Sequence, residues 1–410
     1  MPFNKIKRII GAVFLFVALY IYLYNPIFKI LGFGSIKLLL FIAIIYILLH
    51  NKIGFIVKNF SKEIFFTFLL ILYNLIRAAF GGKDSLITSY VHIVWFLEGF
   101  IIPIFIIFKF KDFFLKYDFK KIFIFIGSIA SLITFFLILN PEINANIRDN
   151  VIVDSLDLFS DKWTFRGFTI AESSAFGYGI TQGLILGFCL FQLQKNYLYF
   201  IPIIFLFISI IFNSRIGIVP VVIAIVLYIT TNRKFSFTKI IVLALTIYIG
   251  FWALTSSSFS AKNATSLEWG LSFFTETFNF LTGKDQNSTY TVLFGDMLFF
   301  PDNTIDLFFG TGQNIFLKGE KTTDVGYVLQ IYQGGLLYLT LMLLFLIYLF
   351  WRCYKKSGDK SLPILFVLTI LIVNIKGNAL FMSNSFFRLF TFYYVYVIVY
   401  KKFNHANLII

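Results

Sequence analysis

Three clusters of polar and charged residues have types and spacings that could do chemistry, and each lies at the end of an apolar stretch. The first cluster is residues 166–177, with the sequence RGFTIAESSAFG. The second is residues 213–217, NSRIG. The third lies within residues 310–335 and contains Gly310, Gln313, Asn314, Lys318, Lys321, Asp324, Tyr327, Gly334 and Gly335.

The chemistry that these residue types suggest is the binding of a phosphate beside a carboxylate. Arg215 in the second cluster can hold a phosphate with two parallel donors, which Lys cannot do. In the first cluster Glu172 follows Arg166, and a carboxylate is costly in an apolar setting unless it is paired or used. Each feature also has a structural explanation: an Arg at the lipid headgroups, a Gly that lets helices pack, and Asp324 as the cap of the helix after it.

The elements that position these clusters are predicted to be transmembrane helices. Of the 410 residues, 59% are hydrophobic and only 13% are charged, whereas soluble domains carry roughly 25% charged residues. A span needs about 20 apolar residues. The pattern predicts about twelve spans: 9–24, 36–49, 64–80, 86–108, 122–139, 168–193, 197–213, 216–231, 238–255, 326–351, 361–376 and 384–400.

These spans predict an all-α polytopic membrane protein in three parts. Residues 1–255 hold nine helices and an external loop at 140–167, residues 256–325 form one long external loop, and residues 326–410 hold three helices and a cytoplasmic tail. Because 168–193 is predicted as a helix that extends back to Arg166, Arg166 and Gly177 would lie about three turns apart on one face. Long loops in compact proteins are usually functional, so we expect the function to face outward.

The net charge of +15 follows the predicted topology. More than half of the 35 Lys and Arg residues fall on the side of the amino terminus, and most acidic residues fall on the other side. This positive-inside pattern predicts a protein of the bacterial inner membrane with both termini in the cytoplasm. It favours anionic lipid over nucleic acid as the partner of the basic residues. The three His and two Cys residues show no metal-ligand spacing, so neither a metal nor another cofactor is predicted.

The order and sidedness of the three clusters resemble the Wzy-type O-antigen polymerases, within the O-antigen ligase and polymerase superfamily. The similar features are Arg166 with Gly177, Glu172-Ser-Ser where relatives often read Glu-Pro-Ser, and Ser214-Arg-Ile-Gly before a helix. A long external loop, residues 324–327 (DVGY) and the Gly334–Gly335 pair complete the resemblance. The topology covers most of the chain, and the motifs cover about forty residues.

The chain departs from the superfamily at two points. Ligases of this superfamily typically carry a His near the end of the long loop, and residues 256–325 contain none, which favours a polymerase. Polymerases often carry an Arg-rich motif in that loop, and residues 256–325 contain no Arg. Lys262, Lys284, Lys318 and Lys321 would have to supply the positive charge there.

The resemblance implies glycosyl transfer at the external face of the membrane. A growing glycan on undecaprenyl diphosphate would move to a sugar hydroxyl of a fresh lipid-linked repeat unit, and a chain-length regulator is a further candidate partner. Arg166 and Arg215 are the candidates for stabilising the diphosphate, with Glu172 and then Asp324 as the base. The candidate substrate-binding residues are Gly177, Ser214, Gln313, Asn314, Lys318, Lys321 and Tyr327.

Three alternative functions remain open from the sequence. A ligase would transfer finished glycan to another acceptor, such as a lipid A core. A flippase for lipid-linked oligosaccharides would usually show repeated halves and short loops on both sides, and this chain shows neither. A membrane scaffold without catalytic activity is the third.

Overall fold

The computed structural model describes residues 2–152, 167–172, 174–193, 195–231, 291–316 and 322–407, together with short pieces between 265 and 283. Helices dominate the described part of the chain, and its strands have two residues each. The predicted span 238–255 lies outside the described residues.

The elements up to residue 231 begin with a long amino-terminal helix. In chain order they are α1 (Pro2–Tyr24), β1 (Ile27–Phe28), β2 (Phe33–Gly34), α2 (Ile36–Leu49), α3 (Ile53–Ala79), α4 (Ser85–Phe96), a π-helical turn (Leu97–Ile101), α5 (Ile102–Lys109), α6 (Lys111–Lys116), α7 (Phe119–Leu139), α8 (Pro141–Asn150), β3 (Val151–Ile152), a second π turn (Ser174–Tyr178), α9 (Gly179–Gln192), α10 (Phe200–Asn213) and α11 (Ile218–Thr231). Short 3₁₀ turns at Tyr197–Tyr199 and Arg215–Gly217 precede α10 and α11.

The described elements after residue 290 are a π turn and four helices. They are Val292–Asp296 (π), α12 (Thr304–Phe309), α13 (Gly326–Lys356), α14 (Ser361–Val373) and α15 (Ser385–Asn407). The predicted external loop 140–167 begins with helix α8 rather than with irregular chain, and its residues 153–166 lie outside the described part.

Several described helices have the length and composition of membrane spans. Ser85–Lys109, Phe119–Leu139 and Gly326–Lys356 meet both criteria, and α2 with α3, bent by 118° at the break between them, counts as a fourth if the pair is one span. Six further apolar helices of 10–17 residues are shorter. An α-helical chain with apolar helices long enough to cross a membrane is thereby confirmed, while the count of twelve spans stays a prediction.

Helix α13 carries an exposed apolar stripe of the kind that contacts lipid. Leu337, Leu344, Ile347 and Trp351 are each exposed and lie at helical spacing along one stripe. Such a stripe is unfavourable in water and is favourable against lipid tails. At its end the Lys355 ammonium lies 4.5 Å from the centre of the Trp351 ring, the arrangement of an aromatic and a basic residue at the headgroup level.

The chain divides into two compact units. The first comprises residues 1–41 and 106–273, and the second comprises residues 42–105 and 274–410. In the first unit α9 packs against α7, α10 and α11, and one of its buried clusters is formed by Leu137, Ile138, Phe168, Ile208, Ile211 and Phe212. Strands β2, β1 and β3 form a small antiparallel sheet, with Ile27 opposite Gly34 and Ile152.

In the second unit α3 packs along α4, and α13 contacts α3, α12, α14 and α15. Two of its helices are interrupted for reasons that the residues explain. Pro103 has no N–H to offer the carbonyl of Gly99, and the π turn Leu97–Ile101 lies directly before it. Gly335 has φ 73° and ψ −176° within α13, a conformation open mainly to glycine.

Candidate functional site

The segment that carries Glu172 is not helical, which corrects one prediction from the sequence. Gly167 has φ +90°, and the Glu172 N–H donates to the carbonyl of Tyr24 at 2.9 Å instead of to a carbonyl one turn earlier. Helical structure begins only at Ser174. The expectation that Arg166 and Gly177 share one helical face is therefore wrong. Arg166 itself lies outside the described residues.

The carboxylate of Glu172 is held by an asparagine from the turn after α1. Asn25 Nδ2 donates to Glu172 Oε2 at 2.7 Å, and Asn25 Oδ1 accepts the N–H of Ile36 at 2.9 Å. Asn25 is buried and has φ 41°, a backbone conformation that Asn tolerates better than most residues. The Asn25 side-chain amide thus fixes the position of the Glu172 carboxylate.

The turn that carries Arg215 packs against the helix that follows Glu172. A Cβ on Gly179 would lie 2.5 Å from the Cβ of Ser214, and a Cβ on Gly183 would overlap the carbonyl of Gly217. The first and second sequence clusters therefore lie together through contacts that only glycine allows. Ser214 and Gly177, both predicted to bind substrate, lie in these two contacting segments.

Arg215 extends from this turn to a serine that is distant in sequence. Its Nη1 donates to Ser272 Oγ at 2.7 Å. The Ser272 hydroxyl accepts this bond and helps to set the position of the guanidinium. The first unit thus contains a positioned carboxylate and a positioned guanidinium on neighbouring segments.

A buried polar network supports the start of α9 and was not predicted from the sequence. The Tyr178 hydroxyl lies 2.9 Å from Thr134 Oγ1 and 3.0 Å from Ser209 Oγ. Gln182 Nε2 donates to the Tyr24 hydroxyl at 3.2 Å. Polar residues in apolar spans are the signal that could have found it. The network links α7, α9, α10 and α1 around the segment that holds Glu172.

The third cluster lies in the second unit, where residues 310–312 dock at the break in α13. The N–H groups of Thr311 and Gly312 both donate to the carbonyl of Tyr332, at 2.8 Å and 3.0 Å. Arg77 of α3 donates to the carbonyl of Gly310. A Cβ on Gly310 would lie 2.6 Å from Gly334 N and Gly335 N. The Gly-rich loop and the Gly334–Gly335 pair are thus two halves of one contact.

Two predicted substrate-binding residues follow this loop. The Asn314 N–H donates to Asp84 Oδ2 at 2.8 Å, which places Asn314 at the amino-terminal end of α4. Gln313 beside it is exposed. Lys318 and Lys321 lie outside the described residues.

Asp324 does not cap α13, which corrects a second prediction. The cap position is Val325, and the Val325 N–H donates to Thr323 Oγ1 at 3.0 Å. Asp324 is instead half-buried, and burial raises the pKa of its carboxyl above the usual value of 3.8 while Lys376 opposes the rise. The hydroxyl of Tyr327, a predicted substrate ligand, donates to the carbonyl of Leu371 at 2.8 Å.

A cavity of about 230 Å³ lies in the second unit beside Asn314. Asp84, Thr88, His92, Asn314, Gln333 and Asn378 supply its polar lining. The remaining lining side chains are aliphatic, thioether or aromatic. His92 is buried, and its Nε2 lies 2.5 Å from the Tyr338 hydroxyl. Sequence reasoning missed Asp84 and His92 because Asp84 lies in a short turn between two predicted spans and His92 stands alone between apolar residues.

Two buried ion pairs of the second unit were also missed. Arg352 of α13 binds Glu63 of α3, and the hydroxyl of Tyr394 donates to the same carboxylate. Arg388 Nη2 lies 3.5 Å from Glu98 Oε2, and Ser383 also donates to Glu98. Each charge is paired, as expected for ionisable groups within apolar helices.

No protein-family model, curated protein or solved structure matches this chain.

Proposed function

We propose that this chain polymerises undecaprenyl-diphosphate-linked oligosaccharide repeat units into O-antigen or a related surface polysaccharide, at the external face of the bacterial inner membrane. The observation that carries the proposal is the packing of the Glu172 segment and α9 against the Arg215 turn. It joins a fixed carboxylate and a fixed guanidinium in one unit. The resemblance of the three sequence clusters to the Wzy-type polymerases supplies the class of substrate.

The reaction needs two things from the protein. A sugar hydroxyl of the acceptor attacks the anomeric carbon of the donor glycan, forming a C–O bond while the bond between that carbon and the lipid diphosphate breaks. The hydroxyl proton passes to a carboxylate, for which Glu172 is the first candidate and Asp324 the second. The diphosphate leaves with an extra negative charge, and a preorganised guanidinium stabilises it as that charge develops.

The hydrogen bond from Asn25 suits Glu172 to the role of the base. Asn25 donates a hydrogen bond to one oxygen of the carboxylate and so fixes its orientation. A general base must lie within hydrogen-bond reach of the proton that it takes, so a carboxylate held in place has the geometry that this role requires.

The test of the function is the glycan profile of cells that lack the protein. We expect single repeat units on the final acceptor and no long chains. A ligase would leave long chains on undecaprenyl diphosphate, and a flippase would trap single units at the cytoplasmic face. Gel profiling combined with lipid extraction separates these outcomes, and either of the last two would overturn the proposal.

The test of the site is Glu172→Gln, with Glu142→Gln as the matched control because Glu142 is exposed on α8. At equal expression we expect Glu172→Gln to lose long chains while the lipid-linked substrate still binds, and the control to keep them. Normal chain lengths in Glu172→Gln would remove this carboxylate from the reaction and leave Asp324 as the candidate.

A further inference from the structure

The cavity in the second unit has a lining that disfavours anionic ligands. Among the described lining residues Asp84 is the only acidic one, and none is Lys or Arg. A carboxylate repels phosphate and diphosphate groups. The lining is therefore unsuited to the part of the substrate that Arg215 is proposed to bind.

The polar groups of the cavity are suited to neutral hydroxyl groups. Asn314, Gln333 and Asn378 each carry an amide that can both donate and accept a hydrogen bond, and the Asp84 carboxylate accepts them. Among the described residues His92 Nδ1 is buried without a hydrogen-bond partner, while its Nε2 is engaged by Tyr338. A buried polar atom without a partner is uncommon, and a bound ligand is one way to satisfy it.

The apolar part of the lining suits the faces of a sugar ring. Phe316 and Tyr338 present aromatic side chains, and Met342, Leu380 and Met382 add apolar surface. A pyranose has hydroxyl groups around its edge and C–H groups on its faces, so it needs both kinds of contact. A volume of about 230 Å³ is below the roughly 300–1,000 Å³ of sites for drug-sized ligands, which fits a single ring.

The cavity is also reachable from solvent. Ile87 and Asn314, both in its lining, are exposed. Ile87 follows the turn between α3 and α4, and Asn314 follows the docked loop 310–312. Both segments are predicted to be external.

We propose that this cavity binds one neutral sugar residue, a hexose or an N-acetylhexosamine, of the lipid-linked acceptor. The role of that sugar as part of the acceptor rests on the proposed function, but its binding does not. The cavity would hold the acceptor ring by its hydroxyl groups, so that its contacts contribute to which repeat unit is accepted.

The experiment measures sugar binding directly, without polymerisation. The purified full chain in lipid nanodiscs is examined by saturation-transfer difference NMR with free glucose, galactose, mannose, N-acetylglucosamine and N-acetylgalactosamine at millimolar concentration. We expect transfer to at least one of these sugars, and no competition from equimolar inorganic pyrophosphate.

Two variants fill the cavity, and one matched variant does not. Thr88→Leu adds bulk to the lining. It also removes the Thr88 hydroxyl, which donates to the backbone carbonyl of Asp84 one turn earlier. Val91→Phe adds bulk to the same lining without removing a polar group. Thr340→Leu is the matched control: Thr340 is exposed on α13, lies outside the cavity, and donates to the backbone carbonyl of Leu336 one turn earlier.

Loss of the signal in both cavity variants, with retention in Thr340→Leu, supports the proposal. Three results would overturn it: no transfer to any of the sugars with the natural chain, an unchanged signal in either correctly folded cavity variant, or displacement of the sugar by pyrophosphate. None of these depends on glycan length in cells, so the failure of this proposal is distinguishable from the failure of the polymerase proposal.

Discussion

Glu172 and Arg215 differ from Glu63, Glu98, Arg352 and Arg388 in where they lie. The first two belong to the segment before α9 and to the turn before α11, where Asn25 and Ser272 help to orient them. The other four lie in apolar helical segments of the second unit and form two ion pairs. An ion pair between two helices favours a structural role, so the first two residues are the better candidates for chemistry.

Arg215→Lys should lose most polymerisation although it keeps the positive charge. Lys lacks the planar two-donor fork that matches a diphosphate, and the loss of one charge-stabilising donor typically costs roughly 10²–10³ in rate. The readout is glycan length on gels at equal expression. The same change at Arg166 should have the same effect.

Ser272→Ala is the control for this prediction, because it removes the hydroxyl that Arg215 contacts and leaves the guanidinium in place. We expect it to shorten chains less than Arg215→Lys does, because the guanidinium remains and only a bond that positions it is lost. If Arg215 only reaches toward headgroups, Lys replaces it without loss, and near-normal chains from Arg215→Lys would contradict the catalytic assignment.

Asp324→Asn should stabilise the protein at neutral pH and not at low pH. Burial raises the pKa of this carboxyl in the folded state above 3.8, so the folded state holds the proton more tightly than the unfolded state. Stability is therefore lost as pH rises from about 3.8 through the folded-state pKa. Chemical unfolding in detergent at pH 7 and below pH 4 checks this, and an equal effect of the substitution at both pH values would contradict it.

Among the elements, some helices were predicted closely from the sequence and others were not. The predicted span 36–49 coincides with Ile36–Leu49, and span 197–213 coincides with the apolar helix Tyr197–Asn213. Both are continuous apolar runs whose ends are marked by polar or turn residues. Their boundaries depend on local sequence.

The sixth predicted span was wrong at its start because its partner is not local. The Glu172 N–H bonds to Tyr24, and Asn25 takes up the Glu172 carboxylate 147 residues away in sequence. Nothing within 168–173 signals that contact. Glu172 and Arg215 could be named as candidates from the sequence, whereas Asn25, Ser272 and the cavity around His92 could not, since tertiary contacts alone bring them into place.

The break in α13 gives a prediction at the scale of the element. Gly335→Ala should destabilise the second unit, because a side chain at φ 73° is strained and its Cβ would overlap the carbonyl of Phe308 in α12. Backbone strain of this kind costs about 1–3 kcal/mol, and the overlap adds to it. Gly358→Ala, where a Cβ would meet nothing within 4 Å, should change the free energy of unfolding little. Denaturant unfolding of both variants in detergent is the measurement, and equal stabilities would contradict the role of the break.

At the scale of the whole molecule, charge and apolar surface agree on lipid as the surroundings. The chain carries 20 acidic and 35 basic residues, and the described acidic residues within the apolar helices, Glu63 and Glu98, lie in ion pairs. The exposed apolar stripe of α13 is unfavourable in water and suits contact with lipid tails. Composition alone predicted an apolar environment, because the total apolar surface of a chain does not depend on which residues contact each other.

The positive-inside pattern predicts the orientation, which cysteine labelling tests. Asp302→Cys, on an exposed residue of the predicted external loop, should react with a membrane-impermeant maleimide in intact spheroplasts. Lys360→Cys, between α13 and α14, should react only after the inner membrane is permeabilised. Cys189 and Cys353 are buried, so the unsubstituted chain should give little background. The reverse labelling pattern would contradict the topology.

The close contacts between glycines also indicate how distant relatives could be found. Gly183 meets Gly217, Gly310 meets Gly334 and Gly335, and Gly312 meets Gly82, each where a side chain has no room. Apolar lipid-facing positions can change freely while remaining apolar, so overall similarity decays quickly among such chains. We expect relatives of this protein to retain these glycines at matching points between helices, and a search on their spacing, instead of on overall identity, would recover them.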